Sequence, residues 1–415
     1  MKFNDNTPLK LKTMTPVFIG DGGTLKPLSY VLEGKMIRVL DEEAFFNRLS
    51  ETEKERYYKW LDPILTDIAD TKQKIIAAGK DLELRTQLQR QRRELESKLS
   101  IKDFLTNVLR VPKDFAAECQ AYAVSFRTAP ERDGFRTHIK DTTNCPYIPG
   151  SELKGALRTA LLHALMKTDE KNYATFEKQL KGYRNDLQSK LPLGEKIRRL
   201  RRMNDELEDK LIRGKDKKGN TDAKYDFLRF LQVSDSNSLS TSSLCVEMAQ
   251  SQGTGRYTRQ WLETMAEGTE LTATIAFGDP TLILEKLNLQ HLESWLSKDK
   301  ILEACYLRSQ DILEEEIKYF ASDSEIKNLI EELQEHNQPH SPLLRLGQGQ
   351  GFLGTTINLL VKHKDPELFD AAIREGVSLQ RRWKTQKNHF PKTRRVIIEN
   401  HKVPIGLLGW IKFIS

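Results

Sequence analysis

The stretch Pro146–Leu162, "PYIPGSELKGALRTALL", runs a turn rich in proline and glycine directly into a helical pattern. Leu153, Leu157, Leu161 and Leu165 recur every fourth residue and form one apolar stripe, which predicts an amphipathic helix packed on a core. Ser151 is the expected N-cap, so Lys154 falls at N3, where a self-capping box would place Glu or Gln. The first-turn amides are then open to an anion, and Lys154 and Arg158 sit one turn apart on the face opposite the leucines. Two readings fit this pattern: a seat for phosphate, and the solvated face of an ordinary helix.

Working outward, Leu9 to Ile19 alternates and ends in "GDGG", predicting a strand closed by a turn at Gly20, Gly22 and Gly23, with a second strand over Val31 to Leu40. Leu61, Ile68, Ile75 and Leu82 recur every seven residues, and Leu88, Leu95 and Leu99 follow after a slip at "AAGKD". That spacing predicts a charged helical hairpin. Ala121 to Arg127 is an expected strand, followed by the polar loop "TAPERDGFRTHIKDTTN". "FLRFLQVSDS", "SLCVEMAQS", "RYTRQWLETM" and "ELTATIAF" read as four short strands, the last two joined as a hairpin across Ala266 to Thr269. Pro280 to His336 and Thr356 to Gly376 are helical in pattern, and "IGLLGWIKF" is a final strand.

This order predicts an α+β fold, a ferredoxin-like sheet with helices on one face and large helical insertions. The expected division is 1–50 for the first part of the core, 51–115 for a charged helical insertion and 116–167 for the core with the motif helix. A charged basic insertion follows over 168–224, then core strands over 225–280, an acidic helical region over 281–340, and 341–415 for a glycine-rich loop, a basic segment and the last strand.

Length permits a large core: the chain has 415 residues, and its 66 Lys+Arg against 59 Asp+Glu give a formal charge of +7. Such a balance mildly favours a polyanionic partner. Its distribution is sharper. Arg381 to Arg395, "RRWKTQKNHFPKTRR", holds seven cations and no acid, whereas Thr281 to Glu335 holds thirteen acids and six cations and is expected to face protein or solvent. Cys119, Cys145, Cys245 and Cys305 are far apart, with no CxxC, which suits a reducing, cytoplasmic setting. No run reaches the roughly 18 apolar residues of a membrane span, and the stretch "MKFNDNTPLKLKTMTP" lacks the apolar core of a signal peptide.

In "RLGQGQGFLGTT", Gly347, Gly349, Gly351 and Gly354 would let backbone amides approach a phosphodiester chain, with Arg345 leading the loop. A dinucleotide fingerprint would need a βαβ unit and a Walker loop Gly-Lys-Ser/Thr, and neither occurs here. Arg381, Arg382, Lys392, Arg394 and Arg395 are cations for a polyanion, and Trp383 and Phe390 among them are surfaces for stacking bases or for core packing. No HxxxH, HExxH or carboxylate cluster has metal-ligand spacing, and Asp21 and Asp235 are expected to cap turns. No cofactor or metal is expected.

"TPVFIGDGG", "PYIPGSELKGALRTALL", "FLRFLQVSDS", "RLGQGQGFLGTT" and "PKTRR…PIGLLGWIKF" occur in the order found in the RAMP superfamily of CRISPR-associated proteins, and the chain resembles its members that close the end of type III-A (Csm) effector complexes. The resemblance implies an RNA-recognition-motif-like core and partners comprising crRNA and target RNA, a neighbouring backbone RAMP subunit, a small helical subunit and host nucleases. It also implies that Ser151, Lys154, Arg158 and the loop from Gly347 lie along the RNA, that Gly20, Gly22 and Gly23 match the family's first turn, and that Arg394 matches a late "TR" element. The catalytic backbone relative carries an aspartate just after the first turn, whereas "TLKPLSYV" has no acid there, which agrees with a subunit that is not a nuclease. The competing expectation is a RAMP endoribonuclease acting on CRISPR repeat RNA, with His138 or His163 as general base.

Overall fold

The computed structural model describes residues 6–110, 115–131, 133–199, 202, 211–215, 219, 221–253, 257–381 and 390–414. Its strands run β1 (Thr7–Thr13), β2 (Gly20–Leu25), β3 (Tyr30–Glu33), β4 (Met36–Leu40), β5 (Gln120–Phe126), β6 (Phe135–His138), β7 (Arg213–Lys215) and β8 (Thr221–Asp226). They continue as β9 (Leu231–Val233), β10 (Leu244–Gly253), β11 (Arg259–Met265), β12 (Glu270–Phe277), β13 (Leu343–Arg345), β14 (Thr393–Glu399), β15 (Val403–Leu407) and β16 (Trp410–Ile414).

The first sheet is antiparallel, in the order β13-β16-β1-β12-β9. Gly150–Thr168, the motif helix, lies between β1 and β9 in the chain, and Lys298–Tyr319, the acidic helix, lies between β12 and β16. Strand, helix, strand, strand, helix, strand with the spatial order β16-β1-β12-β9 is the ferredoxin-like arrangement expected from the sequence. Alternation decides which face is covered. Leu9, Leu11, Leu271, Ala273, Ile275, Ile411 and Phe413 join one core with Leu153, Leu157 and Leu161 of the motif helix, while Lys10, Lys12 and Lys412 take the opposite face.

The second sheet has the order β2-β6-β11-β10-β5-β4-β3, with the β14–β15 hairpin along the later half of β10. It is built from segments inserted between core elements: β2 to β6 before the motif helix, β10 and β11 between β9 and β12, and β14 and β15 before β16. The 51–115 insertion includes the paired helices Glu51–Ala77 and Leu82–Glu96. Leu82 is 77% exposed, so the seven-residue apolar series ends at Ile75.

Three local expectations change. β11 pairs with β10, not with β12, so Ala266 to Thr269 is a crossing between sheets, not a hairpin. The Thr13 hydroxyl straps this crossing, donating to the Ala266 carbonyl (2.6 Å) and accepting from the Thr269 N–H (2.8 Å). "IGLLGWIKF" divides at Leu408 and Gly409 into β15 and β16, which belong to different sheets, and Val31 to Leu40 is the β3–β4 hairpin. A sheet-switching turn carries the same glycine and threonine signals as a hairpin, and only the long-range partners separate them.

One buried carboxylate ties these layers together. Glu316 of the acidic helix accepts from Arg345 Nη1 (2.9 Å) through one oxygen and from Arg394 Nε (2.7 Å) through the other. Arg345 also donates to the Leu408 carbonyl (3.1 Å) and lies 5.3 Å from the centroid of the buried Trp410 ring. Arg394 lies 4.3 Å from the Tyr319 ring centroid. Both arginines are under 8% exposed, and their charges hold the fold's interior. The expectation that Arg345 and Arg394 contact RNA is therefore corrected. Glu316→Ala leaves the buried Arg345 guanidinium without a carboxylate and Arg394 with Glu315 alone, 3.7 Å away, and is expected to cost about 3–5 kcal/mol in urea denaturation. Glu270→Ala, which removes an exposed partner 3.9 Å from Lys12, is expected to cost under about 1 kcal/mol; equal losses would contradict this ranking.

Candidate nucleic-acid interface

The motif helix begins earlier than its sequence suggests. Pro149 is the N-cap and Gly150 the first helical residue, and the Gly150 N–H donates to Asp235 Oδ1 (2.7 Å). Asp235 thus caps this turn from the loop after β9, and one first-turn amide is already engaged. Ser151 is exposed at the second helical position and is not the cap.

Both motif cations, Lys154 and Arg158, are engaged by the protein itself. Lys154 is half-buried and its Nζ donates to the Leu231 carbonyl (2.7 Å), beside a second cavity of about 350 Å³ bordered by Gln232, Ser234 and Thr274. Burial lowers the Lys154 pKa from the ordinary lysine value. Arg158 Nη2 lies 2.9 Å from Asp226 Oδ2, which Arg213 also reaches at 3.3 Å. Lys154 and Arg158 therefore fasten the helix to β9 and β8, and the expected cationic phosphate seat is corrected.

What the motif helix does present is a groove of about 390 Å³. Ser151, Gly155 and Thr159 form one wall, Gly347, Gln348, Gln350 and Thr355 of the glycine loop another, and Ile19 and Gly20 the floor. Three separated sequence motifs thus meet at one place. Among the described lining residues Glu152 is the one charged side chain, so the groove offers hydroxyls, carboxamides and backbone.

The loop glycines have a different first duty from the one expected. Gly347 has φ +62°, and a Cβ there would lie 2.1 Å from the Phe18 carbonyl oxygen. A Cβ on Gly349 would lie 1.9 Å from the Leu408 carbonyl oxygen. These glycines admit the protein's own backbone, and the Gln348 N–H donates to the Phe18 carbonyl (3.0 Å), fixing the loop on the segment between β1 and β2. Gly351 is exposed, with open space around it. From the acidic helix, Arg308 Nη2 donates to the carbonyls of Leu353 (3.2 Å), Gly354 (2.7 Å) and Thr356 (2.9 Å).

Gly20, Gly22 and Gly23 form the irregular, exposed start of β2. Asp21 caps it as expected, its Oδ1 accepting from the Gly23 N–H (2.7 Å) and from the Thr137 hydroxyl (2.6 Å). Lys392 and Arg395 are half-buried near β14. Arg381 ends the helix Glu375–Arg381, and Arg382 and Trp383 lie outside the described residues. Gly155, Thr159, Gln348 and Gln350 were missed by the sequence reading. An interior helical glycine such as Gly155, which costs roughly 1 kcal/mol relative to alanine, was the available signal.

The ferredoxin-like core is elaborated by a second sheet, and its glycine loop faces the motif helix. The chain belongs to the RAMP superfamily, whose sequence profile matches residues 10–354. Among individual relatives, it is 25% identical over 439 aligned positions to the "CRISPR system Cms protein Csm5" of Methanocaldococcus jannaschii, covering 97% of this chain and 88% of that protein. Its fold is similar to a chain in the cryo-EM structure of a Csm–crRNA–target RNA ternary complex of a type III-A CRISPR-Cas system, with TM-score 0.68, 21% identity and 98% and 100% of the two chains covered. It is likewise similar to T. onnurineus Csm5, with TM-score 0.60, 19% identity and 97% and 99% covered.

The two histidines considered as general bases are both fully buried. Burial pulls each pKa from 6.5 down to about 4. His163 Nε2 is 2.7 Å from Asp311 Oδ2, and Lys167 Nζ reaches the other oxygen at 2.7 Å. Burial alone would raise the Asp311 pKa, but these two partners outweigh it and hold it at about 2. Neutral His163 therefore donates through Nε2, in a structural role. Because the folded state disfavours protonation of both histidines, their contribution is complete above about pH 6.5 and is lost as pH falls towards 4, on the order of 3 kcal/mol each. The thermal midpoint is expected to drop through that window, less steeply for His138→Gln; a pH-independent midpoint from 6.5 to 4 would contradict the burial argument.

Proposed function

We propose that this chain is a non-catalytic RNA-binding subunit of a type III-A Csm effector complex, which holds the 3′ portion of crRNA, caps the filament of backbone RAMP subunits and supports crRNA 3′-end maturation. The observation that carries the reading is the meeting of the first glycine turn, the motif helix and the glycine loop in one groove. Membership of the RAMP superfamily and the likeness to Csm5 support it. In this reading the partners are crRNA and target RNA, the adjoining backbone RAMP, the small helical subunit and host nucleases, and the setting is the cytoplasm. Among the described residues no helix is long and apolar enough to cross a membrane.

The chemistry of the groove suits a backbone. The Ser151 hydroxyl and the Gln350 carboxamide donate to phosphate oxygens, and the Thr159 and Thr355 hydroxyls, which already donate to the Gly155 and Gly351 carbonyls (3.0 Å each), accept from 2′-hydroxyls, none of them reading bases. The burial of His138 and His163, which takes both away from any substrate in the groove, supports the non-catalytic reading. The exposed acids of helix Ser324–Glu335, Glu325, Glu331, Glu332 and Glu335, repel RNA and are offered to protein neighbours or solvent.

Gly155 has open space around its Cβ position, so Gly155→Trp fills the groove without disturbing the core. Its thermal midpoint should match or exceed that of the parent, since glycine is the weaker helix former. Affinity for a single-stranded RNA should fall at least about tenfold, roughly 1.4 kcal/mol, in fluorescence anisotropy. Unchanged RNA affinity in a folded Gly155→Trp protein would overturn the groove as the RNA path.

A further inference from the structure

No cation is among the described residues that line the groove, yet Arg136 stands beside its floor and Arg395 shares with Arg136 one face of the second sheet. Arg136 of β6 pairs across strands with Leu262, so both turn to the face where Phe18, Ala249, Leu262, Ile397 and Leu408 form a small apolar cluster. Its guanidinium lies 5.3 Å from the Phe18 ring centroid, and its Nη2 would be 3.4 Å from a Cβ on Gly20, on the groove floor. Arg395 lies two residues before Ile397 on β14 and faces the same side. Between the two strands Gln348 of the glycine loop donates through Nε2 to Gln260 Oε1 of β11 (3.3 Å), joining the groove wall to this face.

Neither arginine has an ion-pair partner among the described residues. Arg395 Nη1 is buried with no acceptor, and Gln348 Oε1 is buried with no donor. Burial, and then the charge of Arg136, lower the Arg395 pKa. Two unrelieved cations over an apolar floor are costly unless an anion lies between them. A planar guanidinium with free N–H groups matches phosphate oxygens in paired geometry.

We infer that Arg136 and Arg395 form a seat for one phosphodiester of the RNA strand as it leaves the groove, and that this seat supplies the cationic grip that Lys154 and Arg158 do not. The inference rests on the groove as RNA path and adds its exit: the strand turns from the motif helix past Gly20 onto the second sheet. Arg136 was hidden in a segment read as a polar loop.

The test uses the full chain and a single-stranded RNA of mixed sequence, with affinity measured across a series of KCl concentrations. Arg136→Gln and Arg395→Gln should each make the slope of log affinity against log salt shallower by about 0.7, and Arg→Lys at either site should restore it. A wild-type slope in folded Arg136→Gln and Arg395→Gln, while Gly155→Trp still weakens binding, sinks the seat and leaves the groove standing. Wild-type binding by Gly155→Trp sinks the groove itself. Because a glutamine variant can fail to fold, the unaltered protein is also treated with phenylglyoxal, with modified arginines mapped by mass spectrometry. RNA should protect Arg136 and Arg395. No protection, or equal protection by inorganic phosphate at the same phosphate concentration, would overturn the assignment to an RNA strand.

Discussion

Glu316 is one carboxylate on which two guanidiniums from distant parts of the chain converge, and the functional surface depends on that convergence. Arg345 ends β13 and leads into the glycine loop, and Arg394 lies on β14, so the acidic helix clamps both the first sheet and an inserted hairpin. Arg394 Nη2 also lies 3.7 Å from Glu315 Oε1, so two buried carboxylates face the two guanidiniums and no charge is left uncompensated. Arg308, on the same helix, grips the far end of the glycine loop through three carbonyls. The loop that walls the groove is thereby anchored at both ends by charges that never reach solvent.

This arrangement separates anchoring from recognition. Lys154, Arg158, Arg345 and Arg394 all hold protein, leaving neutral donors in the groove and Arg136 with Arg395 at its edge. In the proposed function, neutral hydrogen bonds would position a phosphate chain without the desolvation cost of buried cations, while charge at the proposed exit would supply salt-dependent attraction. Shape is set by close backbone contact. The glycine loop lies so near Phe18 and Leu408 that a side chain at Gly347 or Gly349 would displace it.

The elements that rest on local periodicity were legible. The leucine stripe of the motif helix and the paired helices after Glu51 follow from spacing, and the ferredoxin-like class follows from the order of elements along the chain; all form. Facts set by distant partners were not. Pro149 takes the cap that Ser151 was expected to provide, because Asp235 reaches Gly150 from a loop 85 positions away, and Lys154 is turned to the Leu231 carbonyl of a strand packed beside the helix. Arg345 and Arg394 look like surface cations until Glu316 is brought between them. The Ala266 to Thr269 turn looks like a hairpin until Thr13 is seen to strap it between sheets. Arg136 alternates with buried Phe135 in a strand too short to stand out from its polar surroundings.

The central claim is that RNA runs between the motif helix and the glycine loop. Ultraviolet cross-linking of the chain to bound RNA, followed by mass spectrometry of the adducted peptides, tests it most directly. The account predicts adducts within residues 150–159 and 347–355, continuing to β6 and β14. Adducts concentrated instead on helix Ser324–Glu335 or on the paired helices Glu51–Ala77 and Leu82–Glu96 would contradict it.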